Sequence, residues 1–412
     1  MGKKPGKHPN AKFNPFPDPK KGKRRNLVKK PAKKNSQGWQ SIPYVRAKDA
    51  VKMQRMDRVA WKRKLMDVLG ASDKSLIKLL RADRLLHDWT GHTCPRCQMG
   101  KLSKLQHRTD GGPRHRCNAR GCQAYINPHH LHPLFVDGRG SGHTSLQVQC
   151  ALLFLLLNRV PNAAIQRILH INHKAVEDMD KRLMRLRKAW VEDKEKSIVF
   201  GNTKSWVDIE ADEATFTSTD LKGCADDPKK PVAWEQWCGL VQRGHPDTLV
   251  LKRLQPMTSA KRAPGPGAIR KVEWKPLAQK HVQNRRVILH SDAAKSYRLR
   301  LPGVLHDHVR HCKKRIRVKG KWIWKQPTYV KIAIHKDPCT GKKLKVKGGT
   351  QIIDRAWRYL KDRIKLNQQC TVGSPLLRAK IRSAQYEYWH RNADMWLASG
   401  TICAWHMAKL LK

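Results

Sequence analysis

The chain lacks the features that would direct it into or across a membrane. Its longest apolar run, Cys150–Leu157, is far too short to span a bilayer. No signal peptide precedes that run, and the start Met1–Gly6 has no Ser or Thr where a myristoylation site needs one. We therefore expect a protein that is neither secreted nor bound to a membrane, nuclear if its host is a eukaryote and cytoplasmic otherwise.

A disulfide framework is not expected either. Cysteine occurs in an odd number, 11, in a chain without a secretion signal, so reduced thiols and metal ligation are favoured. A wholly disordered chain is also excluded. Hydrophobic residues make up 39% of the sequence, and 412 residues suffice for two or three compact units with cores of their own.

Acidic residues are scarce, with 32 Asp and Glu against 86 Lys and Arg, and the formal net charge is +54. Such an excess of positive charge implies a polyanionic partner. Nucleic acid is the first choice because protein cations that neutralise phosphates release counterions. An anionic membrane surface is the rival partner, but it would want a lipid anchor or an amphipathic basic helix.

The first 45 residues are rich in Lys and Pro and hold almost no acid. We predict a disordered basic arm over residues 1–45, because such a composition cannot bury a core. Within it, Lys20–Arg25 fits a nuclear targeting signal and fits equally a tail that grips phosphates. Residues 46–90 follow with the helical spacing of Leu65, Leu69 and Leu76, which predicts a helical segment.

Two close cysteine pairs lie about twenty residues apart, the spacing of a tetrahedral zinc site. Each pair can form a knuckle, and the hairpin between them can bring the knuckles together. We predict a zinc ribbon over residues 91–130 whose Zn²⁺ ligands are Cys94, Cys97, Cys117 and Cys122. Neighbouring alternative ligands are His92, His107 and His115. A structural zinc would supply roughly 10–16 kcal/mol of apparent binding energy to a unit with little apolar core.

Residues 143–192 predict helices. An apolar helix over Leu146–Leu157 ends before Val160–Asn162, and two further helices then surround a tight turn. This order suits a helix-turn-helix that recognises DNA ends, and an ordinary helical hairpin is the alternative. If the segment is a helix-turn-helix, its recognition helix begins with Asn172, His173 and Lys174, which would face a DNA groove.

From about residue 205, strands are predicted at 206–216, 235–242 and 248–254, a helix at 269–282 and a fourth strand at 286–290. This is the ribonuclease H-like order, in which the first and fourth strands lie side by side. Asp212 and Asp292 would emerge as neighbours, and Asp354, early on a later helix, would complete a group of three carboxylates. We predict this α/β domain, a mixed sheet flanked by helices, over residues 200–370, followed by a helical segment over residues 371–412.

Three converging carboxylates in so basic a chain indicate divalent metal beside a polyphosphate. Two ions about 3.5–4 Å apart activate an attacking hydroxyl and stabilise a leaving 3′ oxygen. Mg²⁺ or Mn²⁺ is expected, with Asp212 as the candidate bridge between them. Asp208 and Glu210 share its strand face and are alternative ligands, whereas Glu213 faces away. Alternatively, the Asp354 carboxylate could stabilise its own helix through the positive N-terminal end of the helix dipole, a contribution of about 0.3–1 kcal/mol.

Several stretches resemble the DDE-type transposases of bacterial insertion sequences, specifically the ISXO-like group with a zinc ribbon ahead of the catalytic domain. The matching segments are Ile209–Phe216, Ser291–Asp292 with Tyr297, His306–His311, Thr350–Lys361 and Glu387–Asn392. The resemblance covers roughly residues 85 to 395. It implies metal-dependent DNA strand cleavage and transfer, with Asp212 and Asp292 as the first two acids. The partners it implies are transposon ends and target DNA, bound by a homodimer or a higher assembly.

Two features depart from this family. Its third acid is commonly Glu, and Asp354 is one methylene shorter. The chain also carries long additions, residues 1–45 and much of 217–234, which would suit a host-adopted relative. A catalytically inactive, transposase-derived DNA-binding protein is therefore the alternative function. The acid-bearing strands argue against a third possibility, a purely structural packer of nucleic acid.

Further DNA-binding candidates lie between the second and third acids and beyond them. Trp322 and Trp324 share one strand face in a stretch rich in Lys and Arg, where they could stack on unpaired bases or pack against a helix. His308 and His311 could position a phosphate or the nucleophile; alternatively, they contact the backbone or have their hydrogen bonds satisfied in the core. The remaining candidates, in the same stretch as the third acid, are Arg358 and Lys361.

Overall fold

The computed structural model describes residues 39–52, 58–107, 112–137, 144–221, 231–260, 263–318 and 320–411. The predicted basic arm therefore lies outside the described residues up to residue 38, and Lys20–Arg25 lies wholly outside them. The centre of the predicted addition at 217–234 also falls outside. Among the described residues, no helix is long and apolar enough to cross a membrane.

The fold is mixed α/β, with a three-stranded sheet, a six-stranded sheet and two hairpins among the helices. The helices are α1 (Leu65–Leu69), α2 (Asp73–Ala82), α3 (Leu146–Leu157), α4 (Asn162–Leu169), α5 (His173–Lys194), α6 (Lys271–His281), α7 (Gln351–Arg363), α8 (Pro375–Trp389) and α9 (Met395–Leu410). The small sheet contains β1 (Gln106–His107), β2 (Pro113–Arg116) and β3 (Tyr125–Ile126).

The large sheet has six strands: β4 (Val207–Asp220), β5 (Pro231–Gln242), β6 (His245–Arg253), β7 (Met257–Ala260), β8 (Val287–Ser291) and β9 (Val304–His308). Their order across the sheet is β6-β5-β4-β8-β9, with β7 paired to β5. β4 and β8 pair in parallel, which confirms the prediction that the first and fourth strands lie side by side. β4 runs four residues beyond the predicted end at 216 because β5 pairs with it as far as Asp220.

Helices cover both faces of this sheet. On one face, α6 packs over a core that includes Ile209, Leu240 and Trp274. On the other, α7 and α8 pack over a core that includes Phe216, Trp237 and Trp357. The alternation of β4 residues between these cores follows from the two-residue period of a strand, which therefore fixes the face of each acid on β4.

A separate helical core joins both ends of the compact unit Pro43–Lys412. Apolar side chains of α1 to α5 meet those of α8 and α9 there. α3 is buried on nearly all sides, as its continuous apolar sequence predicts, and its predicted bounds are confirmed. Asp83, at the end of α2, accepts hydrogen bonds from Arg63 Nε (2.7 Å) and from Trp396 Nε1 of α9 (2.9 Å).

Two antiparallel hairpins precede α7. The first consists of β10 (Lys314–Val318) and β11 (Lys321–Lys325), and the second of β12 (Val330–Lys336) and β13 (Lys343–Gly349). β13 ends directly before Thr350, the N-cap residue of α7. The second hairpin therefore leads the chain to the start of the helix that carries Asp354.

Candidate functional site

The four predicted zinc ligands come together. The ligand atoms of Cys94, Cys97, Cys117 and Cys122 all lie within 4.8 Å of one another. Cys94 Sγ is 3.9 Å from Cys122 Sγ, and Cys97 Sγ is 3.7 Å from Cys117 Sγ. Four sulfurs about 2.3 Å from one Zn²⁺ have edges of about 3.8 Å, whereas a disulfide would bring a pair to about 2.05 Å. The cluster could hold zinc.

The backbone shapes each cysteine knuckle. After Cys97, Gln98 adopts a left-handed conformation (φ 58°), and the Gly100 N–H donates to Cys97 Sγ (3.4 Å). The N–H groups of Gly100 and Met99 lower the pKa of Cys97 to about 6. Gly100 cannot carry a side chain here, because a Cβ would lie 2.4 Å from Cys117 Sγ. The loop therefore presents a thiolate toward its three partners.

Two of the three alternative histidine ligands contact other partners. His115 is buried between Ser103 O, 2.8 Å from its Nδ1, and Arg81 Nη2, 3.1 Å from its Nε2. His92 Nε2 lies 3.1 Å from His87 Nε2. The side chain of His107 lies outside the described part of the structure. The all-cysteine set is thus the one that the geometry favours.

Asp212 and Asp292 follow the last paired residues of two parallel strands. The paired register of β4 and β8 ends at Ala211 opposite Ser291, so Asp212 and Asp292 come next to each other. Asp212 still lies within β4 and pairs with β5, whereas Asp292 lies just beyond the end of β8. Asp292 then turns the chain, since its Oδ1 accepts the N–H of Ala294 (2.9 Å). Their adjacency is what the predicted strand order requires.

Asp354 lies on the same side of the sheet as Asp212. Trp357, one turn after Asp354 on α7, donates from Nε1 to Asp212 Oδ2 (3.2 Å). Gly239 is opposite Asp212 on β5, and a Cβ there would lie 2.7 Å from the Trp357 ring. The absence of a side chain at Gly239 thus lets α7 approach the first acid closely.

The charges of the three aspartates affect one another. Burial raises the pKa of Asp212 well above its usual value, and the charges of Glu213, Asp354 and Asp292 raise it further. Although Asp354 is solvent-exposed overall, partial burial of its carboxyl group raises its pKa, and Glu210 and Asp292 add to this against the opposing effects of His311 and Thr350. Carboxylates that destabilise one another in this way are stabilised by a cation between them.

The three aspartates are spread more widely than the cysteines. Within the described ranges, they do not form a group whose ligand oxygens all lie within 4.8 Å of one another. The donor set, three carboxylates, fits Mg²⁺ or Mn²⁺.

Asp208 and Glu210, the alternative ligands on β4, are fully engaged elsewhere. Arg46 binds Asp208 with two hydrogen bonds of 2.7 and 3.0 Å, and His290 Nε2 lies 3.0 Å from Asp208 Oδ1. Glu210 is completely buried and accepts hydrogen bonds from Arg243, Tyr44 and the backbone of α7. Neither carboxylate is available to a metal ion in this arrangement.

Glu213 faces the opposite core, as predicted. It accepts hydrogen bonds from the Tyr297 hydroxyl and from the Ile269 N–H (2.8 Å). Glu387, in the last segment of the family resemblance, is also structural, because Arg187 Nη1 donates to it (2.7 Å) and Arg159 forms a second ion pair. Glu213 thus binds β4 to Tyr297 and to the segment before α6, and Glu387 binds α8 to α5.

His311 reaches the third acid through Thr350. Its Nε2 lies 3.2 Å from Thr350 Oγ1, and that hydroxyl donates to Asp354 Oδ2 (3.3 Å). His308, on β9, lies beside His306, with ring centroids 6.0 Å apart. Of the two predicted histidines, His311 is therefore the one linked to the acid group.

The first hairpin is a basic, aromatic surface. Trp322 and Trp324 are 57% and 61% exposed on one face of β11, so neither packs beneath a helix. The Arg315 guanidinium lies 4.9 Å from the centre of the Trp322 ring. Arg358 and Lys361 are exposed on α7, one and two turns beyond Asp354, and continue its face of the helix.

The predicted helix-turn-helix segment contains α4 and α5, joined by residues 170–172, with His170 left-handed (φ 49°). Asn172, His173 and Lys174 are exposed. Asn172 is the N-cap of α5, and its side chain accepts the Lys174 N–H (2.9 Å). Its role as a contact to bases remains a prediction.

Sequence reasoning missed Tyr44, Arg46 and Arg243, which surround the buried acids of β4. Tyr44 stands in the segment that composition assigns to the basic arm, Arg46 opens the predicted helical segment, and Arg243 follows β5 as one of many basic residues. No local pattern separates them from their neighbours. A possible signal was the need of two inward acids, Asp208 and Glu210, for buried cationic partners.

No protein-family model and no curated protein matches this chain. Among solved structures, the crystal structure of the Mos1 strand transfer complex matches with a TM-score of 0.12 and 15% sequence identity. The match covers 40% of this chain and 55% of that chain. A TM-score this low carries no argument about fold or function. The resemblance to ISXO-like transposases therefore stays a prediction from the sequence.

Proposed function

We propose that the protein is a transposase-like enzyme that cleaves and joins DNA strands by two-metal phosphoryl transfer. The observation that carries this proposal is that Asp212 lies next to Asp292 in the strand register and close enough to Asp354 for its charge to raise the pKa of Asp212, in a chain of net charge +54. The strand order β6-β5-β4-β8-β9 supports a ribonuclease H-like assignment for the large sheet.

The three aspartates would hold Mg²⁺ or Mn²⁺, which supplies activation of the attacking hydroxyl and stabilisation of the leaving 3′ oxygen. Asp212 is the best placed to bridge two ions, because the charges of both other aspartates act on it. Trp357 fixes the Asp212 carboxylate through the hydrogen bond to Oδ2. The Thr350 hydroxyl, which also contacts His311, orients Asp354 by donating a hydrogen bond to its Oδ2.

DNA binding is assigned to the basic surfaces around these acids. Exposed Arg358 and Lys361 would contact phosphates next to Asp354, and Trp322 and Trp324 would stack on unpaired bases. The zinc ribbon and the α4–α5 pair would recognise the DNA ends, and a homodimer or higher assembly would bring two ends together. The partner DNA is thus a transposon end and its target.

Nicking of supercoiled plasmid DNA in Mg²⁺ or Mn²⁺ tests the proposal. We expect Asp212→Asn to lower the nicking rate at least about a hundredfold, because a metal site supplies several kcal/mol of charge stabilisation. Asp362→Asn, which removes an exposed acid farther along α7, is the matched control and should retain the wild-type rate.

Equal rates in wild type and Asp212→Asn would reject the assigned acids. If the wild type binds DNA but nicks it under no metal condition, the alternative function is favoured, a catalytically inactive DNA-binding protein derived from a transposase. The shorter third acid, Asp354, is the feature that would account for that result.

A further inference from the structure

The start of α7 has no cap of its own. The side chain of its N-cap residue, Thr350, accepts no hydrogen bond from a backbone N–H of the first turn. The N–H groups that open the helix are satisfied from elsewhere. Glu210 Oε2 accepts the N–H of Ile352 (2.6 Å) and of Ile353 (2.9 Å), and the Tyr44 hydroxyl accepts the N–H of Gln351 (3.0 Å).

A buried cluster holds Glu210 in this position. Its Oε1 accepts hydrogen bonds from Tyr44 Oη (2.6 Å) and Arg243 Nε (2.7 Å). The other guanidinium nitrogens of Arg243 donate to the carbonyls of Tyr44 (3.2 Å), Lys347 (2.6 Å) and Gly349 (2.8 Å). Arg243 and Glu210 are 2% and 0% exposed, so the pair is screened very little by water.

Three distant parts of the chain therefore meet at one helix end. The segment Pro43–Arg46 contacts β4, where Tyr44 binds Glu210 and Arg46 binds Asp208, and Arg243 joins the end of β13 to the same place. A carboxylate at the positive end of a helix dipole adds to this stabilisation. The second N–H that Glu210 binds belongs to Ile353, and the next residue on α7 is Asp354.

We propose that Tyr44 and Glu210 are positioning residues for the metal site, because they set the start of α7 and thereby the place of Asp354 relative to Asp212. Glu210 shares the strand face of Asp212 two positions away, so one strand carries both the ligand and the group that aligns the third acid. The inference depends on the proposed function. It makes the segment Pro43–Arg46 part of the catalytic unit.

The test combines two measurements on Glu210→Gln and on the milder Tyr44→Phe in the full-length, zinc-loaded chain. Amide hydrogen exchange should become faster at Gln351, Ile352 and Ile353. The dissociation constant for Mn²⁺, measured by electron paramagnetic resonance, should rise by about 10–100-fold in Glu210→Gln, as is typical when groups that orient metal ligands are removed. Tyr44→Phe should show the faster exchange and the weaker Mn²⁺ binding to a smaller extent.

Matched controls come from the same fold. Glu235 is also buried, is bound by Arg253 through two hydrogen bonds of 2.7 and 2.9 Å, and accepts a backbone N–H from Gly373, but it lies opposite Thr217 and away from α7's start. Glu235→Gln should leave Mn²⁺ affinity unchanged. Tyr386→Phe, which removes a buried hydroxyl bonded to Ala398 O, should do the same.

The outcomes separate the two hypotheses. If the wild type binds no Mn²⁺ at the aspartates, the proposed function and this inference are both wrong. If the wild type binds Mn²⁺ and both variants bind it as tightly, only the inference is wrong, even where exchange at α7 is faster. An equal loss of affinity in the control variants would also overturn it, since the effect would then be general destabilisation.

Discussion

Partners, more than residue type, decide what each acid of β4 does. Asp208, Glu210 and Asp212 follow one another on one strand face, and the sequence leaves all three open as metal ligands. Asp208 and Glu210 bind Arg46 and Arg243, whereas Asp212 accepts one hydrogen bond from Trp357 and is next to other acids. Those arginines are distant in sequence, so residue patterns alone cannot assign the roles.

His132 shows how a single buried group makes stability depend on pH. Its Nε2 lies 2.7 Å from Leu85 O, and its Nδ1 accepts the N–H groups of Leu134 and Phe135, at 3.1 and 2.8 Å. A proton on Nδ1 would break both of the latter bonds. Burial lowers the pKa of His132 from 6.5 to about 3, helped by the nearby charges of His129, His406 and Arg182.

We expect stability to fall as the pH drops below 6.5, the value for an unfolded histidine. Between that pH and about 3, the unfolded chain binds a proton that the folded chain does not, so acid favours unfolding. From pH 7.5 to 5.0, this group should cost up to about 2 kcal/mol of unfolding free energy. Urea denaturation of wild type and His132→Gln at both pH values measures it, and identical pH dependence in the two proteins would contradict the assignment.

At the scale of elements, the sequence predicts what local patterns determine. The bounds of α3 and the parallel pairing of β4 with β8 are confirmed, because a continuous apolar run and the order of the elements are enough to specify them. β7 and β9 were missed. Both are short, and β9 carries His306, Asp307 and His308, whose polar sequence gives no strand pattern although its pairing with β8 buries Asp307.

The cysteine knuckles provide a test at this scale. Gly100→Ala would place a Cβ 2.4 Å from Cys117 Sγ, whereas a Cβ at Gly121 meets nothing within 4 Å. We expect Gly100→Ala to weaken zinc binding about tenfold or more, because the knuckle must shift to make room. Gly121→Ala should keep about one zinc per chain.

Competition with a chromogenic chelator, followed by elemental analysis, measures both variants. Removal of zinc should also unfold the region around Cys94–Cys122, whose apolar cluster is small and includes Trp89, Leu102 and Ile126. A wild-type protein that contains no zinc, or a Gly100→Ala variant that holds it as tightly as wild type, would contradict this account.

At the scale of the whole molecule, the site is assembled from residues far apart in the chain. Asp212, Asp292 and Asp354 could be singled out from the sequence because they lie in or next to recognisable elements, namely β4, β8 and the first turn of α7. The cluster of Tyr44, Arg243 and Glu210 could not, since its members meet only after the sheet, the second hairpin and α7 have packed. Long-range polar contacts of this kind leave no periodic pattern in a sequence.

The central claim is that the three aspartates form one site for divalent metal. The number of Mn²⁺ ions bound per chain, counted by electron paramagnetic resonance on zinc-loaded protein, tests it most directly. We predict about two Mn²⁺ per chain for the wild type and fewer for Asp212→Asn. A wild-type chain that binds no Mn²⁺, or an Asp212→Asn variant that binds as many ions as the wild type, would contradict the account.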